Sequence, residues 1–288
     1  MPLALFSDSK PARLGKVFGN MVVDLSLAAP SLPRDTIGFL AQGETALDAF
    51  KAVSADGPGR LDLSSVRLHA PIWAPQKFLA IGMNYREHAQ EALRAGIPLQ
   101  EYQLWFNKQV SCINGPFDDV VMPKVSDKLD YEAELVVVIG CDCRHVAVSE
   151  ARSVIGGYMV GNDVSVRDWQ RRSQTMTLGK SFDTHGPIGP WLTLDHELAD
   201  PLDLPIRMYV NGEQRQADHT GEMIHSIYEQ IAYLSTVMTL KTGDLISTGT
   251  PSGVGVAKAP PQFLKVGDTM RVEIGVLGHI ENRIVAEI

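Results

Sequence analysis

The feature that most constrains this chain is a single run of consecutive apolar residues. Leu135 to Gly140 is the longest uncharged apolar stretch in the sequence. A membrane-spanning helix needs roughly 20 such residues, whereas a buried β-strand needs about five or six. The run therefore predicts a buried strand, and we expect a protein that neither spans nor binds a membrane.

Strand-like segments dominate the chain beyond residue 77 and are not separated by long helices. This spacing is typical of an antiparallel-rich sheet and predicts the α+β class. Asn211-Gly212 predicts a tight hairpin after one of these strands. The predicted strands are Phe78–Ile81, Val120–Met122, Glu132–Ile139, Tyr158–Val166, Ile206–Val210, Asp244–Ser247 and Met270–Ile274.

Residues 1–72 are predicted to form a small N-terminal α/β domain, and residues 73–288 a larger catalytic domain. The proline-rich segment Pro71–Pro75 breaks regular structure and indicates the linker between them. Within the larger domain we expect a helix over 85–95, started by Asn84 and Glu87. A second helix carries apolar residues at helical spacing from Ile224 to Leu234, after a Thr220 N-cap, and Gly243 closes the segment.

Composition excludes several classes of protein. Of the 288 residues, 44% are hydrophobic and 21% charged, as in ordinary globular proteins, and the formal net charge is −8. An acidic chain without a basic patch is an unsuitable partner for nucleic acid. The N-terminal residues have no basic region before an apolar run, so we expect no secretory signal. The three cysteines, Cys112, Cys141 and Cys143, are too few for a disulfide framework, so we expect a cytoplasmic location.

Three carboxylates form the first candidate site. Glu132 and Glu134 are two apart in a predicted strand and so share a face, and Asp163 follows a second strand-like run. Oxygen ligands without Cys or His favour Mg²⁺, with Mn²⁺ or Ca²⁺ as alternatives. The alternative is that the glutamates lie on a solvated strand end and Asp163 caps a local turn.

Two further groups carry chemistry. His88 and Glu91 are three apart on the first predicted helix, where the carboxylate can orient the imidazole as a base. Lys180 and the loop Ser247–Gly255 can hold an anion through an ammonium group and backbone N–H groups. An exposed polar pair and an ordinary turn are the respective alternatives.

Taken in order, these motifs resemble the fumarylacetoacetate hydrolase family, in particular its short bacterial and mitochondrial members that act on 2-oxo acids. The resemblance runs from about Lys77 to the C-terminus. It rests on the ordered set Gly82-Met83-Asn84-Tyr85 with His88 and Glu91, Glu132-Ala133-Glu134, Asp163 with Arg167-Asp168 and Gln170, Gly179-Lys180-Ser181, Val210-Asn211-Gly212-Glu213 and Thr248 to Gly255.

The resemblance implies a β-roll catalytic domain, a homodimer, and one Mg²⁺ or Mn²⁺ held by Glu132, Glu134 and Asp163. It also implies that the segment with His88 and Glu91 becomes ordered when substrate binds. Where many members have Lys-Pro, this chain has Lys108-Gln109, which leaves the role of Lys108 open.

The activity implied is hydrolysis of a carbon–carbon bond in a 1,3-dicarbonyl compound such as an acylpyruvate. His88, oriented by Glu91, would activate water, and the metal would stabilise the enolate. Decarboxylation of an oxaloacetate-like 2-oxo diacid, isomerisation and hydration of a 2-oxo-alkenoate use the same site and remain alternatives, as does a non-catalytic dimer with a structural cation. The residues expected to contact substrate are Lys180, Gln170, Tyr85, Arg167, Thr250 and Lys108.

Overall fold

The computed structural model describes residues 1–94, 96–98 and 101–288. These residues confirm the α+β class, and their strands form a long mixed sheet, a five-stranded sheet and a two-stranded sheet. No helix of the described residues is long and apolar enough to cross a membrane. Cys112, Cys141 and Cys143 are free thiols.

The elements are defined by the following bounds. The strands are β1 Leu3–Ser7, β2 Arg13–Phe18, β3 Met21–Asp24, β4 Arg60–Asp62, β5 Arg67–His69, β6 Phe78–Gly82, β7 Leu104–Lys108, β8 Ile113–Asn114, β9 Val120–Met122, β10 Leu129–Asp130, β11 Ala133–Ile139, β12 Ile155–Asn162, β13 Ser165–Val166, β14 Gly186–Leu194, β15 Pro205–Val210, β16 Glu213–His219, β17 Leu245–Ser247, β18 Thr269–Ile274 and β19 Gly278–Ala286. The helices are α1 Leu25–Ala28, α2 Thr36–Ala41, α3 Glu44–Ala52, α4 Arg86–Arg94, α5 Arg167–Gln170 and α6 Ile227–Val237.

The long sheet places β11 at its centre. Its strand order is β4-β3-β2-β1-β14-β12-β11-β17-β6-β7, with β5 beside β1 and β8 beside β14. Every residue of β11 is buried, as the apolar run predicts, because both faces of the strand are covered. One face packs on β15, β18 and α6, and the other packs on the N-terminal residues.

The N-terminal residues join the same sheet as the rest of the chain. Strand β1 pairs with β14 through Leu3 and Leu192, and Phe50 of α3 shares a hydrophobic core with Val136 of β11. The boundary between domains 1–72 and 73–288 stays a prediction, and strands from both sides of it lie in one sheet.

The hairpin at Asn211-Gly212 is confirmed. Strands β15 and β16 pair up to Val210 and Glu213, which leaves these two residues as the turn. Their φ angles are 53° and 79°, the left-handed values that a type I′ turn requires at both central positions. Strand β18 continues the five-stranded sheet on the other side of β15.

The N-cap predicted for α6 is wrong. The helix begins after Ser226, whose side chain accepts from the Glu229 amide while the Glu229 carboxylate accepts from the Ser226 amide. This reciprocal capping box satisfies two helix-end donors, so it starts the helix better than an isolated threonine. Thr220 is buried elsewhere, and its hydroxyl accepts from the Leu204 amide. The helix ends at Val237, well before Gly243.

The start predicted for α4 is also different. The Asn84 side chain does not cap the helix, because its amide donates to the carbonyls of His225 and Thr248 and its oxygen accepts from the His225 amide. Asn84 therefore ties the beginning of α4 to two segments distant in sequence. The helix itself is present over Arg86–Arg94, and Ala95, the last residue predicted for it, lies outside the described residues.

Candidate active site

A cavity of about 450 Å³ opens between α4, the start of β11, and the segments around residues 167–180 and 250–257. Apolar side chains of Leu104, Phe106 and Val254 form part of its wall. The sequence-predicted residues that line it are His88, Glu91, Glu132, Glu134, Arg167, Gln170, Lys180 and Thr250. The size suits a small organic acid, and polar groups converge at one end.

The three predicted carboxylates meet at this polar end. Ala133 pairs with Asn162 across β11 and β12, so Glu132 stands opposite Asp163, and the Asp163 amide donates to the Glu132 carbonyl over 2.9 Å. One carboxylate oxygen each of Glu132, Glu134 and Asp163 lies within 4.8 Å of the others. We call these three residues the carboxylate cluster. Their arrangement follows from strand register rather than from any local turn.

Three buried cations surround the carboxylate cluster. Lys180 Nζ donates to Glu132 Oε2 and Asp163 Oδ2, both over 2.6 Å. Lys108 Nζ donates to Asp163 Oδ1 over 2.6 Å, and Arg167 Nη1 donates to Glu132 Oε1 over 2.6 Å. Glu132 and Asp163 therefore each have two buried cationic partners, which offset the cost of burying their charges.

Glu134 differs from its two neighbours because it has no ion-pair partner among the described residues. Its Oε2 accepts from the Ser247 hydroxyl and from the Gly249 amide. Burial raises the pKa of Glu134 well above its ordinary value, and the charges of Asp163 and Glu132 raise it further. At Glu132 burial acts in the same direction, but Lys180 and Arg167 outweigh it and lower the pKa to about 2.

These groups fit a divalent cation. Three carboxylate oxygens within reach of one another are the ligands that Mg²⁺ and Mn²⁺ prefer. A divalent ion would also offset the crowding of like charges that raises the pKa of Glu134. Glu134 is only 1% exposed, which excludes a solvated strand end, and the Asp163 carboxylate accepts from Lys108 and Lys180 rather than capping a turn.

The predicted pair of His88 and Glu91 is formed and faces the cavity. His88 Nδ1 lies 3.0 Å from Glu91 Oε2, on adjacent turns of α4. Glu91 Oε1 accepts from the Gly253 amide over 3.2 Å. Gly253 has a φ of +102°, and a Cβ there would lie 2.2 Å from the Arg215 carbonyl, so only glycine allows this approach. This hydrogen bond holds His88 and Glu91, which we call the His88–Glu91 dyad, against the loop of residues 247–255.

Three amides of the loop 247–255 bind the protein's own carboxylates. Gly249 donates to Glu134, Gly253 to Glu91 and Gly255 to Asp130. The loop therefore positions acidic side chains, while Thr250 lines the cavity and accepts from Gln216 Nε2 over 2.9 Å.

Arg167 and Gln170 lie together on α5. Arg167 Nη1 donates to Gln170 Oε1 over 3.0 Å, and Arg167 Nε donates to Asp130 over 2.8 Å. Arg167 Nη2 is buried and has no partner among the described residues. A buried guanidinium with one free donor at a cavity wall is suited to an anionic ligand.

Two predicted contacts to substrate do not match the structure. Tyr85 is fully buried, does not line the cavity, and its hydroxyl has no partner among the described residues. Lys108 is also buried behind the wall, where it donates to Asp163 and to the carbonyls of Lys180 and His185. Both side chains are enclosed by packing, so Lys108 supports the carboxylate cluster and Tyr85 fills the core.

Two buried polar residues of the site, Asp130 and Gln216, were not predicted from the sequence. Asp130 accepts from Arg167 and from the Gly255 and Val256 amides, and so links α5 to the glycine-rich loop. Gln216 accepts from the Ala133 amide and donates to Thr250 and Pro251. The period-two spacing of Asp130 with Glu132 and Glu134 was a signal for the first, whereas nothing local distinguishes Gln216.

An α+β fold that directs a carboxylate cluster, a buried lysine and a histidine–glutamate dyad at one cavity defines a metal-binding enzyme. The family profile described as fumarylacetoacetate (FAA) hydrolase C-terminal matches residues 77–285. The chain therefore belongs to the fumarylacetoacetate hydrolase family, as the motifs predicted.

Several known proteins are similar over most of the chain. Oxaloacetate tautomerase FAHD2A, mitochondrial, from Homo sapiens is 42% identical over 270 residues, which cover 93% of this chain and 85% of that protein. The maleylpyruvate hydrolase structure from Sphingobium sp. SYK-6, in complex with manganese (II) ion and pyruvate, is 31% identical with a TM-score of 0.84, and both chains are fully covered. The 5-carboxymethyl-2-hydroxymuconate delta-isomerase structure from Mycobacterium smegmatis is 30% identical with a TM-score of 0.78, again over both whole chains.

The prediction of a cytoplasmic location is wrong by this comparison. The human relative and those from Bos taurus and Xenopus laevis are all named as mitochondrial proteins. The prediction rested on cysteine usage, and free thiols are equally compatible with other reducing compartments.

Proposed function

We propose that this protein catalyses the keto–enol tautomerisation of a 2-oxo dicarboxylate such as oxaloacetate. The observation that carries the proposal is that the His88–Glu91 dyad faces the same cavity as the carboxylate cluster. The name of the human relative supports the substrate class. Tautomerisation needs one base near the acidic carbon and stabilisation of negative charge on the oxygen.

The carboxylate cluster would hold the ion, and we propose Mg²⁺ with Mn²⁺ as a substitute. A divalent cation there supplies positive charge that makes the proton beside the 2-oxo group more acidic. The bound Mn²⁺ of the Sphingobium structure supports a divalent ion in this fold.

His88 moves the proton. Because Glu91 binds Nδ1, Nε2 is the nitrogen left to take a proton from carbon 3 of the substrate. The bond between carbon 3 and hydrogen breaks, an enolate forms, and the same nitrogen returns the proton to the oxygen on carbon 2. The dyad thus carries one proton between two atoms of the same molecule, and no water enters the reaction.

Side chains at the polar end would bind the head of the substrate. Arg167 Nη2 is a free buried donor at the cavity wall, suited to the 1-carboxylate. Gln170, Lys180 and Thr250 line the wall beside it and can donate to the oxygens of the enolate.

Hydrolysis of a 2,4-diketo acid is the second candidate. It is favoured by the apolar wall of Ile97, Leu104 and Val254, which gives the cavity room for an acyl group beyond the 2-oxo acid head. The maleylpyruvate hydrolase neighbour supports it as well. In that reaction His88 would activate a water molecule, and the bond between carbons 3 and 4 would break to leave pyruvate.

One set of assays separates the two candidates. The enol form of oxaloacetate is followed by its ultraviolet absorbance, and pyruvate is measured with oxaloacetate and with acetylpyruvate as substrates. We expect loss of the enol signal that depends on Mg²⁺ and stops with excess chelator, without release of pyruvate. Pyruvate from acetylpyruvate alone would establish the hydrolase instead, and pyruvate from oxaloacetate would establish decarboxylation.

The homodimer also stays a proposal that rests on the family resemblance. Sedimentation velocity of the purified chain at micromolar concentration tests it. A single species of twice the 31.5 kDa chain mass is expected, and a monomer would contradict it.

A further inference from the structure

One charged side chain of the cavity wall has no partner among the residues that the structure describes. Within the described residues, Glu132, Arg167 and Lys180 form ion pairs, His88 pairs with Glu91, and Glu134 accepts two hydrogen bonds. Arg171 also lines the cavity, is exposed, and forms neither an ion pair nor a hydrogen bond through its side chain with any described residue. Its guanidinium is available to a ligand.

The position of Arg171 follows from the helix before it. Arg171 is the C-cap of α5, with φ −83° and ψ −5°, so helical geometry continues through it from Arg167. Residues four apart lie on the same face of a helix, one turn from each other. Arg167 is therefore buried at the polar end, and Arg171 stands one turn further toward the opening of the same cavity.

We propose that Arg171 binds the distal carboxylate of a dianionic 2-oxo acid and selects such substrates over monoanionic ones. This inference rests on the proposed function, since it requires the 2-oxo acid head to lie at the carboxylate cluster. A substrate bound there by its head would extend toward the opening and bring its second carboxylate to the guanidinium. A planar guanidinium is well matched to a carboxylate because two N–H groups can donate to its two oxygens.

The pairing of charges at the polar end leaves a role for such a residue. The chain has a net charge of −8, and the cations at the polar end are already paired with carboxylates. A dianion that enters the cavity thus meets acidic surroundings, which a monoanion tolerates better. Arg171 supplies one uncompensated positive charge where the distal group would lie.

The next residue offers a matched control. Arg172 has the same charge and is exposed on the same segment, but it does not line the cavity, and its guanidinium carbon lies 3.6 Å from the ring centroid of Trp169. Arg171→Gln and Arg172→Gln therefore remove the same charge, and only the first removes it from the cavity wall.

The test measures binding of two inert acids with the same four-carbon chain. Calorimetry with the Mn²⁺-loaded protein gives Kd for malate, which has a distal carboxylate, and for 2-hydroxybutyrate, which has a methyl group there. We expect Arg171→Gln to raise the Kd of malate about tenfold and to leave that of 2-hydroxybutyrate within about twofold. Arg172→Gln should leave both unchanged.

The result that would overturn the proposal is an equal change for both acids in Arg171→Gln, or no change for either. A wild-type protein that prefers malate through Arg171 but does not tautomerise oxaloacetate would refute the proposed function and keep this inference. If the wild type tautomerises oxaloacetate and Arg171→Gln leaves its KM for oxaloacetate unchanged, the proposed function would stand and the role of Arg171 would be refuted.

Discussion

The two ends of the cavity are built in different ways. At the polar end, the carboxylate cluster lies at the adjoining ends of β11 and β12 in the centre of the long sheet, and each member is fixed by buried hydrogen bonds. At the opening, the segment of residues 171–176 follows the short helix α5 and is largely exposed. The sheet can hold crowded charges at fixed distances because its register is specified by the buried core. The residues of this segment at the opening are not part of the hydrophobic core, so their side chains can contact and select substrates.

The largest expected effect comes from breaking the polar end itself. Asp163→Asn leaves the buried Lys108 and Lys180 without their shared carboxylate, so the free energy of unfolding should fall by about 3–5 kcal/mol. Binding of Mn²⁺, measured by calorimetry, should be lost as well. Urea unfolding measures the stability.

Asp142→Asn is the control for that experiment, because Asp142 pairs with Lys241 at the exposed surface. Its loss should change the midpoint of urea unfolding only slightly, since an exposed ion pair contributes little to stability. Equal effects of the two substitutions would show that the polar end is no more dependent on its charges than the surface is.

A substitution in the His88–Glu91 dyad tests whether activity can be lost while stability is kept. His88→Gln removes the proposed base, so the rate of tautomerisation should fall by about 10²–10⁴-fold. Mn²⁺ affinity and the midpoint of urea unfolding should stay close to those of the wild type, because His88 is not part of the carboxylate cluster.

Glu87→Gln on the exposed side of α4 is the matched variant and should leave the rate unchanged. A normal rate in His88→Gln would contradict the assignment of the base.

Acid should lower the free energy of unfolding because of one buried histidine, His185. Burial lowers the pKa of His185 to about 4, below the unfolded value of about 6.5. The unfolded state therefore binds the proton first, and stability falls as the pH drops from about 6.5 to 4, by about 3 kcal/mol in total.

The pH dependence of urea unfolding checks this, and it should be flatter in His185→Gln. A steep slope that survives in His185→Gln would assign acid sensitivity to other groups.

The smallest effect is expected at the opening. Arg172→Gln removes only a contact between an exposed guanidinium and Trp169, worth about 0.5–1 kcal/mol. Arg171→Gln, which breaks no ion pair or hydrogen bond to a described residue, should lower stability by even less. Thermal unfolding measures both, and a large loss in either would show that the opening contributes to the folded core after all.

The sequence by itself determined the parts of this protein that depend on local geometry. Alternation along a strand places Glu132 and Glu134 on one face, three-residue spacing on a helix joins His88 to Glu91, and Asn211-Gly212 specifies its turn. These relations hold over a few residues, so periodicity and backbone preference are enough to predict them.

Only the tertiary structure decided which side chains pair across the chain. Lys108 reaches Asp163 over 55 positions, Asn84 bonds to segments more than 140 positions away, and Tyr85 is enclosed in the core rather than exposed to substrate. Such partners depend on how strands and loops pack together, and no local pattern encodes that. The same long-range contacts also determine which donors remain free for a ligand: two N–H groups of Arg167 face protein acceptors, and Nη2 has no partner among the described residues.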